Sequence, residues 1–305
     1  MIVPTLRLTD HGRRCLERLL ALAEPLEILF VPDGEEDVPA GVSCLPSGPV
    51  PVGAKRQLGL ERARGEFVAL IDDDAYPHPS WLANALAGFE EGVAAVTGPT
   101  LTPADEPHLG RLGGRVYASP LVGGPHRWRY APAAARDVDD APSVNLVLRR
   151  EDALAVRLDS PFYPGDDTVV CDRLIARGRR IRAVPGAIVY HSRRPLWRPH
   201  LRQLWRFGRR RGAFARRLGG NSRRLSYFLP SALVLGLAFG WLLPGPLFWA
   251  WAVAAALYAA AVVVAGASRN PLDWARVSGA IALSHLVYGV GFILGIAGVP
   301  LPEER

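Results

Sequence analysis

The sequence predicts an α/β domain with a parallel sheet, then a basic helical segment, then three apolar helices of membrane-spanning length. Three observations predict this. Short apolar runs alternate with amphipathic stretches through the first two thirds of the 305 residues, the pattern of successive βαβ units. Residues 193–224 hold twelve Arg and no Asp or Glu. The last third carries three long apolar runs with almost no charge except Arg269, Asp273 and Arg276.

The elements follow in order. Met1–Thr5 reads as a first strand that closes at Pro4-Thr5. Within His11–Ala23, Cys15, Leu16, Leu19, Leu20 and Leu22 fall at helical spacing. Leu26–Val31 is a second strand, ended by Pro32-Asp33-Gly34, and Val42–Leu45 a third. Gly53–Ala63 is helical and carries Lys55, Arg56 and Arg62 among small residues. The central strand, Phe67–Ile71, runs straight into Asp72-Asp73-Asp74. A buried strand cannot hide three adjacent carboxylates without paired charges. They are therefore expected at its open C-terminal end, where α/β sheets place ligands. Ser80–Phe89 is a helix and Val93–Thr97 a strand. Residues 100–142 are rich in Pro, Gly and Arg with little periodicity, and read as a long functional or mobile loop. Ser143–Arg149 is a strand and Glu151–Val156 a helix. Phe162 to Thr168 leads into a helix through Arg177, which Gly178 ends. Ile181–Val184 and Ala187–His191 are two short strands.

Residues 195–224 interleave Arg with Leu196, Trp197, Leu201, Leu204, Trp205, Phe207 and Phe214. Such a segment suits a bilayer interface, with Arg on headgroups and aromatics below. Tyr227–Leu243, Leu247–Ala267 and Ser278–Val299 each approach the roughly 20 residues that span a bilayer. The excess of Arg places 193–224 in the cytoplasm, Pro244-Gly245-Pro246 outside and Arg269 to Arg276 inside. The C-terminus then lies outside if all three segments cross. The expected division is a domain over 1–192, interfacial helices over 193–224 and transmembrane helices over 225–305.

Charge and cysteine content narrow the function classes. The formal net charge is +7, and 7 − 12 = −5 remains once the Arg-rich segment is set aside. So local a patch, beside apolar helices, reads as juxtamembrane rather than as a nucleic-acid surface. Cys15, Cys44 and Cys171 are widely spaced and odd in number, which argues against a disulfide framework or zinc site and fits a reducing compartment. No signal-type apolar region precedes the first charges. The front domain is therefore expected on the cytoplasmic side of a cell's inner membrane.

An Asp-x-Asp at a strand end suits a hard cation bound with a diphosphate. Several ordered motifs then carry a resemblance over residues 1 to about 220. They are Gly53–Phe67 leading into Asp72-Asp73-Asp74, Asn145–Arg150, Gly165-Asp166-Asp167-Thr168 with Cys171–Leu174, and Val189-Tyr190-His191. Together they resemble the family 2 glycosyltransferases, inverting enzymes with the GT-A fold, a Rossmann-like nucleotide-diphospho-sugar transferase domain. The resemblance implies a nucleotide-sugar donor, with Thr5 and Asp33 at positions that touch the nucleoside. Asp72 and Asp73 are counted with the donor-binding residues, and Arg56 suits diphosphate oxygens through its guanidinium, with a solvated helix face as the other reading. Mg²⁺ or Mn²⁺ on Asp74, assisted by Asp72, would serve as Lewis acid, with His191 as a further ligand suited to Mn²⁺. Asp167 aligns with the family's general base, and Asp166, which replaces a more common Glu, is counted with it as catalytic.

The sequence departs from the family where Asp-Asp-Gly-Ser reads Pro32-Asp33-Gly34-Glu35. No apolar helices precede the catalytic domain, so single addition is expected rather than a conducting polysaccharide synthase. The basic and apolar segments point to a lipid-linked or glycan acceptor of the cell envelope. Two other readings stay open: a polyprenyl-phosphate monoglycosyl synthase, and a catalytically silent membrane scaffold that binds a nucleotide sugar or a partner enzyme.

Overall fold

A computed structural model describes residues 1–160, 165–218 and 220–300. Phe162-Tyr163-Pro164, which lead into the second acidic motif, lie outside the described residues. Over the described residues the chain divides into two units: Met1–Pro103 with Ala131–Ser192, and Ala104–Tyr130 with residues 193–300.

The strands, all in the first unit, are β1 (Ile2–Pro4), β2 (Ile28–Val31), β3 (Val42–Cys44), β4 (Phe67–Leu70), β5 (Ala75–Pro77), β6 (Val93–Thr97), β7 (Thr100–Leu101), β8 (Arg136–Val138), β9 (Leu146–Arg149), β10 (Arg180–Ala183) and β11 (Val189–His191). The helices in chain order are α1 (Asp10–Leu20), α2 (Val52–Arg62), α3 (Trp81–Leu86), α4 (His108–Ala118), α5 (Pro120–Gly123), α6 (Arg150–Val156), α7 (Asp166–Ala176), α8 (Arg198–Arg217), α9 (Leu225–Phe239), α10 (Gly245–Ala265) and α11 (Pro271–Ala297). Of these, α4, α5 and α8 to α11 belong to the second unit.

The main sheet has the order β3-β2-β1-β4-β9-β6-β10-β8. β1, β2, β3 and β4 run parallel, and so do β6 and β10. β9 runs antiparallel between β4 and β6, and β8 runs antiparallel on β10. The sheet is therefore mixed, not parallel as the alternation of elements suggests. Periodicity reports which face a residue occupies and says nothing about strand direction. Every residue of β1, β2 and β6 is buried, which is why they read as unbroken apolar runs: both faces of the sheet are covered. Val3, Phe30 and Val147 join α1 and Trp81 on one face, while Ile2, Leu29, Leu146 and Leu148 join Leu60 and Leu174 on the other.

A second sheet, β5-β11-β7, holds β11 antiparallel to β5 and sets His191 opposite Ala75. Asn145 ties the strand ends together from a fully buried position. Its Oδ1 accepts from Trp81 Nε1 at 2.8 Å, and its Nδ2 donates to the Ala187 carbonyl at 2.8 Å. Thr97 Oγ1 donates to the Asn145 carbonyl at 2.7 Å.

In the second unit, α4 lies inside the stretch that reads as loop. Gly110, Gly113 and Gly114 dilute its apolar periodicity, but Leu112 and Val116 are buried against Leu196, Val277, Ala280 and Ile281. Asn221–Leu242, Gly245–Ala265 and Pro271–Ala297 are long and apolar enough to cross a membrane.

Candidate active site

Parallel β1, β2 and β4 bring their C-terminal ends to one edge. Thr5 follows β1, Asp33 follows β2, and Asp72 to Asp74 follow β4. α2 lies tightly on β1 because Gly59 has no side chain: a Cβ there would sit 2.7 Å from Ile2 Cγ2. This close packing carries two consecutive cations to the sheet edge, pointing about 100° apart around the helix. Lys55, the only lysine of the chain, ion-pairs with Asp33 and donates to the Thr5 carbonyl at 2.6 Å. Arg56, 4% exposed, pairs with Asp72 at 2.9 Å and with Asp166.

Each remaining acid has its own tie. Thr5 Oγ1 donates to Asp73 Oδ2 at 2.5 Å. Asp74 Oδ1 lies 3.0 Å from His191 Nε2, and the Asp74 carbonyl accepts from the Ser192 amide at 3.0 Å. α7 opens on Gly165, whose φ of +114° lies in the left-handed region that side chains disfavour. Asp166 and Asp167 occupy its first turn, where the helix dipole favours negative charge. Asp166 is buried against Arg56, whereas Asp167 stays partly open to solvent, its Oδ1 accepting from the Thr168 amide at 2.8 Å. Thr168 Oγ1 donates to buried Asp140 at 3.0 Å and so anchors this turn. Arg56, Ser143, Asp166 and Asp167 line one recess together with Leu158 and Val170.

Charge is unbalanced here. Burial pushes the carboxyls of Asp72 and Asp73 above the usual carboxylate range. Arg56 opposes this at Asp72 and the Thr5 hydroxyl opposes it at Asp73, while the neighbouring Asp74 adds to it at both. Burial alone would lower the Arg56 guanidinium, but Asp166 and Asp72 outweigh it and hold the group above its ordinary value. Burial, reinforced by Asp73, Asp72 and Asp74, pushes the Cys15 thiol up, so that sulfur is inert. Carboxylates outnumber the cations that face them, which is the chemistry of a site that takes a cation. Among the described residues no three His, Cys, Asp or Glu side chains form a ready metal cage. Asp74 and His191 form a two-residue set, with Asp72 beside them but committed to Arg56. That suits a divalent ion completed by phosphate oxygens.

The structure thus brings Thr5, Asp33, Asp72, Asp73, Asp74, His191, Asp166 and Asp167 to one edge of the first unit. It places Arg56 beneath the acids rather than on a solvated helix face. Lys55 and Asp140 are additional polar residues to which the sequence alone gives no role. The only available signal was the uniqueness of Lys55, which passes for codon bias.

A mixed sheet with these acids at its edge has the layout of a GT-A-type glycosyltransferase. The mannosyltransferase PcManGT from Pyrobaculum calidifontis, solved in complex with GDP-Man and Mn²⁺, shares this fold at a TM-score of 0.55 and 17% identity, over 98% of this chain and 87% of that one. The profile described as glycosyl transferase family group 2 matches residues 67–264. The chain belongs to this family. The pre-mycofactocin glycosyltransferases of two Mycobacterium tuberculosis strains, CDC 1551 / Oshkosh and ATCC 25618 / H37Rv, are each 29% identical over 194 residues, 59% of this chain and 40% of theirs. The match thus spans less than half the length of these relatives.

Proposed function

We propose that the chain moves a sugar, with inversion, from a nucleoside-diphosphate donor to a lipid-linked acceptor at the cytoplasmic face of a cell's inner membrane. The observation that carries this reading is the convergence of donor-side acids and a partly open Asp167 on one sheet edge. Thr5, Asp33 and Asp73 line the nucleoside side, with Lys55 holding Asp33 in place. Asp74 and His191, with Asp72 assisting, would hold Mg²⁺ or Mn²⁺. Such an ion neutralises charge on the departing diphosphate.

Asp167 takes the proton of the acceptor hydroxyl as that oxygen bonds to the anomeric carbon. The bond from the anomeric carbon to the diphosphate oxygen breaks in the same displacement, so configuration inverts. Asp166 does not share the base's role in this reading. With Arg56 it holds the Gly165–Thr168 turn against the loop after β4, so the base and the donor acids keep a fixed spacing. The GDP-Man and Mn²⁺ of the Pyrobaculum enzyme are of the donor and ion class proposed here.

The test is slow donor hydrolysis across UDP-, GDP- and dTDP-sugars, with Mg²⁺, Mn²⁺ or chelator, and with Asp74→Asn beside the unaltered protein. Metal-dependent release of one nucleotide, lost in the variant, is the expected result. No release and no nucleotide-sugar binding with any donor would overturn this proposal in favour of a silent scaffold for a partner enzyme.

A further inference from the structure

The second unit is built around α11, and the neighbours of α11 constrain where it can lie. α8 runs beside it in the same direction. Trp197 lies against Gly279, His200 Nε2 is 3.0 Å from Ser284 Oγ, and Gly212 meets Phe292. Small residues let the two backbones touch: a Cβ on Gly212 would sit 2.2 Å from the Phe292 carbonyl oxygen, and one on Gly295 2.2 Å from that of Arg209. The pair is therefore aligned along nearly all 20 residues of α8, which carry eight Arg and no acid.

The midpoint of α11 has a second tie. His285 Nε2 lies 3.0 Å from the Leu121 carbonyl oxygen, and nearer the helix start His108 Nε2 lies 3.0 Å from Asp273. Leu121 belongs to the excursion Ala104–Tyr130, whose chain continues into the first unit at both ends. That excursion includes the 3₁₀ turn Gly124–Arg129. Were α11 to cross a bilayer, its midpoint at Ser284-His285 would reach the centre. The arginines of α8 and the irregular backbone after α5 would go with it. Hydrocarbon excludes irregular backbone that faces lipid and strongly disfavours exposed arginines.

α9 and α10 behave differently. α9 touches α11 through its first turns, where Phe228 packs on Phe292 with centroids 4.9 Å apart and Ser231 Oγ donates to the Gly289 carbonyl at 3.1 Å. α10 touches it through its last turns, where Tyr258 OH meets His285 Nδ1 at 2.9 Å and Trp274 Nε1 donates to the Val263 carbonyl at 2.6 Å. Between these footings Leu237, Phe239, Trp241, Leu247, Trp249 and Leu257 are exposed. Only 6% of the apolar window of α10 is buried, against 39% for α11.

We infer that α8 and α11 lie together on the membrane surface as a basic platform for anionic phospholipid headgroups, and that only the α9–α10 hairpin enters the bilayer. The chain after α11 then ends on the side from which α8 enters, opposite to the outcome expected from three crossings. Arg198, Arg202, Arg216 and Arg217 are exposed on α8 and match lipid phosphates in charge and geometry. This inference rests on the membrane anchoring proposed above.

The test uses the full chain with green fluorescent protein or alkaline phosphatase fused after Arg305, expressed in a bacterial host. A fluorescent fusion and an inactive phosphatase, both in the membrane fraction, are expected. Phosphatase activity with the protein still in the membrane overturns the inference and leaves the anchoring intact. Absence of both fusions from the membrane fraction overturns the anchoring and the inference with it. A second arm compares melting of the purified chain in micelles doped with phosphatidylglycerol or phosphatidylcholine. Stabilisation by phosphatidylglycerol alone, lost when Arg198, Arg202, Arg216 and Arg217 are all changed to Gln, supports the platform. Equal stabilisation by both lipids overturns its anionic partner.

Discussion

Replacing Arg56 with Met removes one guanidinium and strands two carboxylates. Arg56 is 4% exposed, and the Asp166 side chain it pairs with is 7% exposed. The Asp72 side chain keeps 33% exposure. Breaking a buried ion pair from one side costs about 3–5 kcal/mol, because the remaining charge has no partner. Asp72 can turn to water, so its half adds about 1 kcal/mol or less. At about 2–4 °C per kcal/mol for a unit of this size, the transition of the first unit should fall by about 6–24 °C. Calorimetry at neutral pH on detergent-purified protein measures it. The decisive comparison is Arg56→Met with Asp166→Asn, alone and together. If the two share one buried contact, the double variant should lose at least about 1 kcal/mol less than the sum of the singles. A single variant that melts within about 3 °C of the unaltered protein, or strictly additive losses, would refute the role given to Arg56.

Other predictions follow from the same geometry. Asp167→Asn should lower sugar transfer by about 10²–10⁴-fold while leaving donor affinity unchanged; a matching loss of affinity, read by calorimetric titration, would contradict its assignment as base. His200 is fully buried, and burial pushes its imidazole down to about 4. Its contribution to stability is therefore complete above the unfolded value of about 6.5 and is lost as pH falls toward 4, by about 3 kcal/mol in all. Tryptophan fluorescence follows this, since all tryptophans except Trp81 lie in the second unit; His200→Asn should flatten that slope. Gly212→Leu drives a side chain into the Phe292 carbonyl. It should cost the second unit at least about 1–3 kcal/mol, seen as a lower fluorescence melting point with donor binding intact.

The sequence carries part of this structure openly and hides the rest for physical reasons. Phe67–Leu70 with its three acids is legible because apolar runs and carboxylates segregate so sharply. β9 occupies the region that the sequence marks as strand, but its antiparallel direction leaves no trace in periodicity. β5 and β7 are too short to show a period. α4 is obscured by three glycines inside a Pro- and Gly-rich stretch. The acids of the site are legible as motifs, whereas their division of labour is not. Asp166 and Asp167 are neighbours in sequence, and only the fold turns one onto Arg56 and leaves the other partly open. Arg56 reads from sequence as a surface or diphosphate contact because its partners, Asp72 and Asp166, are far away along the chain. The three apolar segments are legible by composition, but the alignment of α8 with α11 depends on glycine contacts that composition does not reveal.

The most direct test of the account is titration of the purified chain with nucleoside diphosphate, with and without Mn²⁺, for the unaltered protein, Asp74→Asn and Asp167→Asn. Metal-dependent binding that Asp74→Asn abolishes and Asp167→Asn retains is the expected result. Equal, metal-independent binding by all three would contradict it.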